Sequence, residues 1–390
     1  MKLELIPVAG NLKRIREIWE SLEESATSYF LSWGWIGNWI ANLPDHVKPE
    51  LAVFLEGSDP RLAFFLGKET LTLTHGDFHG QRHLFKSRAW FLNATGIPAF
   101  DRVLLEYNGF LYNKQESFRL IEMLNRLPDS WDEFYFPALD MQILPGTEAL
   151  DDISPYKTII KDDIIHLSPF VDLDEVRARG GNYLSLLSAN TRYQINRAKK
   201  LCEKIGPLRL ETARDTLSAM DIYHELVGFH ENTWTNRSQK GAFSSDYLLQ
   251  FHKQLIQSRF QYGEIQLLKI KCGNKTLGCL YNFVYKNNVY FYQSGINYDV
   301  DKRLKPGIIS HVEAIGHNTA EGHKIYDFLT GGSRYKTSLA THHNRMIWIR
   351  LQKPRLKFRI EDALKTFKNL PVRLLIYAKY KLSRKPAKAI

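Results

Sequence analysis

Between Tyr29 and Asn42, the residues Tyr29, Trp33, Ile36 and Ile40 recur at i, i+4, i+7 and i+11. That spacing puts them on one helical face and marks the face as core. A first helix is expected just before it, over Asn11–Glu24. The segments PELAVFLEG, RLAFFLGKE and TLTLTH are rich in strand formers and separated by Gly, Asp and Pro, the pattern of antiparallel strands joined by turns. RVLLEYNGFL begins like a strand, QESFRLIEMLNRLP carries Phe118, Ile121 and Leu124 on one helical side, and EFYFPAL returns to strand. The first 150 residues therefore predict a mixed α/β domain.

Pro, Gly, Asp and Ser punctuate Pro145–Pro169, so residues 151–169 are expected to be a connector. Beyond it the pattern restarts. A helix over about Gly181–Gly206 turns Leu187, Thr191, Ile195, Ala198, Cys202 and Ile205 inward, and helices follow near Thr216–Thr233 and Ser245–Ser258. Three strands come next, EIQLLKIKC, KTLGCLYNFVYK and NVYFYQSGI. A helix over Pro306–Glu321 leads to the strand KIYDFL and the short SRYKTSLA. The two halves share an order of elements without sharing residues, which suggests a duplicated fold with domains at 1–150 and 170–352.

Charge changes this picture only at the end of the chain. The chain carries a net charge of +11, and Lys353–Ile390 holds twelve Lys and Arg against Glu361 and Asp362. The body is thus nearly neutral and the tail, 353–390, strongly basic, so any polyanion contact is expected from the tail and nucleic acid is not expected as a partner. Ile360, Ala363, Leu364, Phe367, Leu370 and Leu374 recur at helical spacing among the lysines, as an anionic membrane surface requires of an amphipathic segment; docking of the stripe on the second domain is the alternative. The start of the chain lacks an apolar block with a small-residue cleavage site, and no stretch reaches the ~20 apolar residues of a spanning helix. A cytoplasmic protein, peripheral at the inner membrane face through its tail, is the expectation. Three cysteines are too few for a disulfide framework or a four-cysteine zinc site, and Cys272 and Cys279 are expected as neighbours on adjacent strands. His342 and His343 point apart in a strand and have no third ligand at metal spacing, so no metal is expected.

Three pieces in order carry a family resemblance: NYLSLLSANTRYQINRAKKL, LVGFHENTW, and YFYQSGINYDVDKRLKPGIISHVEAIGHNTAEGHKIYDFLTGGSRYKTSL. Over residues 180–340 the chain resembles the CelD-like acetyltransferases of the GNAT superfamily, related to the Fem-type peptidoglycan-bridge transferases. WGWIGNWI and LLEYNGFL are more diffusely similar. The resemblance implies two tandem GNAT folds with mixed, mostly antiparallel sheets, and an acyl-CoA donor. It also implies transfer to an amine or hydroxyl of a sugar, lipid-linked saccharide or other small acceptor in cell-envelope or polysaccharide biosynthesis.

Acyl transfer from a thioester needs a held donor, a stabilised oxyanion and a proton for the thiolate. The loop NYDVDKRLKPG and the helix opening at Pro306 supply backbone N–H groups and a helix dipole for a diphosphate, with Arg303, Lys305, Pro306, Gly307 and Ile308 at the turn. The usual glycine signature is absent there; only Arg303 matches it. In YDFLTGGSRYKTSL, strand alternation sends Asp327 to the face opposite Tyr326. By the resemblance Tyr335 protonates the thiolate and Lys336 steadies a phosphate or the oxyanion, with Asp327 a third catalytic candidate. Arg192, His230, Trp234 and Gln293 are the acceptor-binding candidates. A Fem-type transferase using aminoacyl-tRNA and a non-catalytic adaptor that keeps the GNAT fold are the alternatives.

Overall fold

The computed structural model describes residues 1–73, 83–101, 106–113, 120–141, 153–160, 166–235, 243, 245–331 and 333–364. The first half contributes β1 (Lys2–Pro7), β2 (Glu50–Glu56), β3 (Asp59–Leu71), β4 (Ser87–Leu92), β5 (Leu111–Tyr112) and β6 (Glu133–Asp140). Its described helices are α1 (Leu12–Leu22), α2 (Trp33–Asn42) and α3 (Leu120–Arg126). The expected connector supplies β7 (Lys157–Ile160) and most of β8 (His166–Asp172). There follow α4 (Leu173–Ala178), α5 (Ala189–Glu203), β9 (Leu208–Thr212), α6 (Thr216–Thr235) and α7 (Asp246–Arg259). The second meander is β10 (Ile265–Cys272), β11 (Lys275–Tyr285) and β12 (Asn288–Ile296), and then come α8 (Pro306–Ala320), β13 (Ile325–Asp327), α9 (Arg334–Leu339) and β14 (His342–Gln352).

All these strands join one sheet, in the order β1-β2-β3-β4-β6-β14-β8-β13-β12-β11-β10-β9, with β5 on β3 and β7 on β14. The duplicated order appears in it twice. β2, β3 and β4 form an antiparallel meander, and β6 returns after α3 to lie parallel to β4. β10, β11 and β12 do the same, and β13 returns after α8 parallel to β12. The centre is exchanged between halves: β14, the last described strand, pairs with both β6 and β8.

One apolar core spans both repeats. Trp35 of α2 packs its ring on Phe251, Phe283 and Tyr292 at 5.1, 5.3 and 6.0 Å, and Asn38 donates to the carbonyl of Phe251. Lys286, at the tip of the β11–β12 hairpin, donates to the carbonyls of Glu24 and Ala26 at 2.7 and 2.8 Å. On the other sheet face, α5 and α8 cover Leu268, Ile270, Leu280 and Phe291. Side-chain alternation explains the division: in β10, Ile265 and Leu267 enter the first core, Ile270 and Cys272 the second.

Several local expectations are corrected. The helix over Tyr29–Asn42 begins at Trp33, because Ser32 is extended and its hydroxyl takes the Trp35 N–H at 3.2 Å as an N-cap. Trp35 and Trp39 consequently join Ile36 and Ile40 inside, and Trp33 is only partly buried. Ile205 is exposed, since α5 ends at Glu203. SRYKTSLA forms α9. The two-residue turn Gly273-Asn274 sets Cys272 opposite Lys275 and Cys279 opposite Lys269, so the two cysteines are not neighbours. Cys272 instead forms a disulfide with Cys202 of α5.

The described start of the basic tail is docked on the first half. Lys353 and Arg355 bond Asp129, Lys357 bonds Asp132, and Glu361 is buried beside His83. Leu356, Ile360 and Leu364 of helical residues 356–364 stay exposed. Phe367, Leu370 and Leu374 of the expected stripe lie outside the described residues. Among the described residues no helix is long and apolar enough to cross a membrane.

If the halves share a core, Trp35→Ala removes packing from both. The expected outcome is a loss of about 3–5 kcal/mol in a single urea transition, read alike by far-UV circular dichroism and tryptophan fluorescence; two separated transitions would show independent halves.

Candidate active site

β12 and β13 are paired only over Asn288–Tyr290 and Ile325–Asp327. β12 runs on to Ile296, and its edge on the β13 side from Phe291 onward pairs with no described strand. A bulge opposite Tyr281/Asn282 bends β12 at this point, as bulges do where a strand is re-aimed. The result is a wedge between a free strand edge and the turn that leaves β13.

The turn is built on Asp327. Its Oδ1 accepts from the Ser168 hydroxyl at 2.8 Å and the Leu329 N–H at 2.7 Å, and its Oδ2 accepts from the Tyr107 hydroxyl. Asn344 in turn donates to Tyr107 at 3.1 Å. As strand alternation requires, Tyr326 points the other way, its hydroxyl 3.1 Å from His311 Nδ1. Burial pushes Asp327 up to about 6, against those bonds and the charge of Lys336. The Leu329 N–H bond holds that residue at φ +59°, which turns the chain out of the sheet.

Two charged side chains occupy the turn. Glu106, 4% exposed, accepts from the Thr330 N–H at 2.6 Å and the Thr330 hydroxyl at 2.7 Å. Burial raises it to about 7, with Thr330 and Lys336 opposing. Lys336 donates to the carbonyls of Thr330 and Leu329 at 2.7 and 3.3 Å, and its ammonium stands 5.9 Å from the Phe291 ring on the free edge. Burial lowers its pKa, with Glu106 and Asp327 opposing. An acid raised toward neutrality and a lysine lowered beside it, at an open strand edge, is the electrostatic pattern of a proton-transfer site.

On the α8 side, Tyr335 stacks on His311 with ring centroids 5.3 Å apart, and burial raises its phenol to about 12. His311 is held neutral, burial lowering it to about 3. α8 opens with Pro306 at its first position and no side-chain cap, so the N–H groups of Gly307 and Ile308 meet no capping side chain. A Cβ on Gly307 would come no closer than 3.8 Å to anything, leaving the approach clear. Lys305 precedes them at φ +48°. Arg303 is exposed and its guanidinium is bound to Asp301. The free edge and the uncapped helix start fit a pantetheine arm and a diphosphate; the Arg303 side chain is already engaged.

The remaining candidates are spread out. Gln293 lies at the bulge on the free edge, its Oε1 taking the Ser294 N–H. His230 and Trp234 share a face of α6 on the opposite side of the sheet, joined by a 2.9 Å bond from Trp234 Nε1 to His230 Nε2. Phe243 packs on His230 at 4.9 Å, and His252, close by, bonds the Tyr292 hydroxyl at 3.1 Å. Arg192 bonds the carbonyls of Leu187 and Ser185 ahead of α5. Glu106 and Tyr107 were not singled out from the sequence. They sit in LLEYNGFL, where nothing in spacing shows that a first-half loop ends at the turn after β13; an acid in an otherwise apolar run was the only signal.

Residues 189–337 match the family described as an acetyltransferase (GNAT) domain. This segment is a GNAT domain. It contains β12, α8, β13 and most of α9, the elements of the wedge. No curated protein matches the chain by sequence. Among solved structures, FemX shares the fold at 10% identity, covering 90% of this chain and 97% of that one with a TM-score of 0.56. The C-terminal domain of an Agrobacterium fabrum protein named as a lysylphosphatidylglycerol synthetase gives 11% identity, 92% and 96% coverage and a TM-score of 0.51. L-PGS from Bacillus licheniformis gives 12%, 87% and 92%, and 0.50. The chain thus shares its overall fold with these structures, and the matched GNAT segment lies in its second repeat.

A buried acid raised from its ordinary 4.5 to about 7 destabilises the fold as pH rises through that window, because the folded state then holds the proton more tightly than the unfolded chain. Glu106→Gln is expected to stabilise the protein at pH 8 by up to about 3 kcal/mol, with the difference gone below pH 4.5. Urea titrations of both proteins at pH 4.5 and 8 measure it, and a variant less stable than its parent at pH 8 contradicts it.

Proposed function

We propose that the protein is an acyltransferase that moves an acyl group from an acyl-CoA to an amine or hydroxyl of a sugar, lipid-linked saccharide or similar acceptor. Its place is in cell-envelope or polysaccharide biosynthesis. The observation that carries this reading is the meeting of Glu106 and Lys336 at the free edge of β12 inside a GNAT domain. When bound, the donor supplies an activated acyl carbonyl and a thiolate leaving group.

The edge of β12 beyond Tyr290, which pairs with no described strand, faces the amides of the donor's arm, with the Ser294 N–H held by Gln293 Oε1. Gly307 and Ile308 present N–H groups, backed by the dipole of α8, to its diphosphate, and Lys305 adds positive charge. Glu106 takes the proton of the attacking nitrogen or oxygen, a task suited to an acid poised near neutrality. Lys336 steadies the oxyanion with an ammonium desolvated among Phe291 and the turn. Tyr335 gives a proton to the leaving thiolate from the α8 side. Asp327, with each oxygen already bonded, holds the turn that places these groups. His230, Trp234, Gln293 and Arg192 are kept as acceptor contacts. The exposed Leu356, Ile360 and Leu364 support peripheral contact with a membrane, and the basic composition of the tail favours an anionic one.

One observation favours a second reading, aminoacyl transfer from tRNA in the Fem manner: Arg303, the matching residue of the CoA signature, is spent on Asp301. Acetyl-CoA at about a hundred times its dissociation constant is expected to add about 3 kcal/mol of stability, read as a raised Tm. A shift with tRNA alone, steeply salt-dependent, gives the Fem-type reading, and no shift with either gives the adaptor.

With acetyl-CoA and a hydroxylated or amino acceptor, kcat/KM is expected to rise with pH through about 7, as Glu106 loses its proton. Glu106→Gln should lower turnover by about 10²–10⁴-fold and flatten that limb. Tyr335→Phe should slow turnover with acetyl-CoA affinity unchanged. Full activity in Glu106→Gln removes the assigned base.

A further inference from the structure

The first repeat should carry a wedge of its own, since β4 and β6 meet in parallel over only three pairs, Ala89–Phe91 with Glu133–Tyr135. The equivalent contact in the second repeat is also three pairs long. In the first repeat, however, the chain fills the gap itself. The Asn108 N–H donates to the carbonyl of Ala138 at 2.9 Å and the Asp140 N–H to the carbonyl of Asn108 at 3.0 Å, a parallel bridge onto β6. The Asn108 side chain donates across the gap to the carbonyls of Leu92 in β4 and Pro137 in β6, both at 3.0 Å.

A second amide locks the first. Asn93, at φ +47° just past β4, donates to Asn108 Oδ1 at 2.8 Å and to the Gly109 carbonyl at 2.7 Å, and its own Oδ1 accepts from the Phe65 N–H. Asn93 is 3% exposed and Asn108 is fully buried. Phe110 then enters the core under α3, and Leu111 and Tyr112 pair with β3. The two residues just before Asn108 are Glu106 and Tyr107, which bond Thr330 and Asp327 of the second repeat.

We propose that the first repeat's donor wedge is permanently closed by the Asn108 segment, and that this closure is what positions Glu106 and Tyr107 in the wedge of the second repeat. The chain then binds one donor, not two, and the first repeat acts as the mount for the second repeat's base. The one-donor part rests on the acyl-CoA reading above; the closure does not. Asn108 is a positioning residue, since its side chain bonds Asn93, Leu92 and Pro137 and acts on the site only through Glu106 and Tyr107.

Amide hydrogen exchange on the full chain without ligand tests the closure directly. The amides of Asn108 and Asp140 are expected to exchange as slowly as those of β3 and β11; exchange within seconds overturns the proposal. Calorimetry with acetyl-CoA is expected to give one site per chain, and two sites overturn it. If acetyl-CoA does not bind, the donor reading fails and the exchange result alone decides the closure. Asn108→Ala is expected to lower kcat at least tenfold and to move the acid limb of the pH profile, with acetyl-CoA affinity within twofold. A lower kcat with the limb unmoved means that Asn108 is merely structural and overturns the positioning role. Should that variant not fold, the exchange and stoichiometry measurements stand on the unaltered protein.

Discussion

The parallel contact between β12 and β13 ends after three residue pairs, at Tyr290 and Asp327, and the rest of the molecule is arranged around the gap that follows. Two parallel strands joined by a crossover helix can stay paired only while twist and register allow. Here the bulge in β12 and the left-handed Leu329 after β13 turn the strands apart. A free edge inside a sheet carries unpaired N–H and C=O groups at a cost. The open wedge is therefore the place in the sheet where a bound extended group would complete the pairing.

The charges beside the gap follow the same logic. Glu106, Asp327 and Lys336 are removed from water together, and each is shifted chiefly by that removal. Asp327 is compensated by three donors, whereas Glu106 has only the N–H and hydroxyl of Thr330. Burial still raises both acids toward neutrality, Glu106 to about 7 and Asp327 to about 6. The same carboxylate that accepts both Thr330 bonds thus sits near neutrality, which makes it a fastening between the repeats and a candidate for proton transfer at once.

The sequence made most single elements legible, because α6, α7, α8 and the β10–β12 meander each carry their own periodicity. Ser32 shows the limit of periodicity: a helical spacing continued through Tyr29, yet a hydroxyl cap set the true start at Trp33. Pro306 at the first turn of α8 was readable because proline's missing N–H is a local property. Tyr335 and Lys336 are named through the family resemblance and Asp327 through strand alternation, and Asp327 and Lys336 do lie at one turn. Glu106 was not legible, since its role depends on a contact with Thr330 more than two hundred positions away. The exchange of β14 into the centre of the sheet was hidden for the same reason: strand partners are chosen by tertiary packing, and no pattern within His342–Gln352 names β6 and β8.

The two repeats solve one geometric problem in opposite ways. Where β4 and β6 separate, backbone bonds from Asn108 and two amide side chains satisfy the strands from within the chain; where β12 and β13 separate, no described strand does. A buried asparagine that bonds both walls of a cleft occupies the space between them, and opening it would strand several polar groups in the core. Duplication supplied two clefts. The Asn108 segment that fills one of them is fixed there, and Glu106 and Tyr107 directly precede it. A carboxylate carried on a loop of the GNAT segment itself would be held only by that segment. Carried on the neighbouring repeat, it is anchored across the shared core that includes Trp35, Phe251 and Phe283.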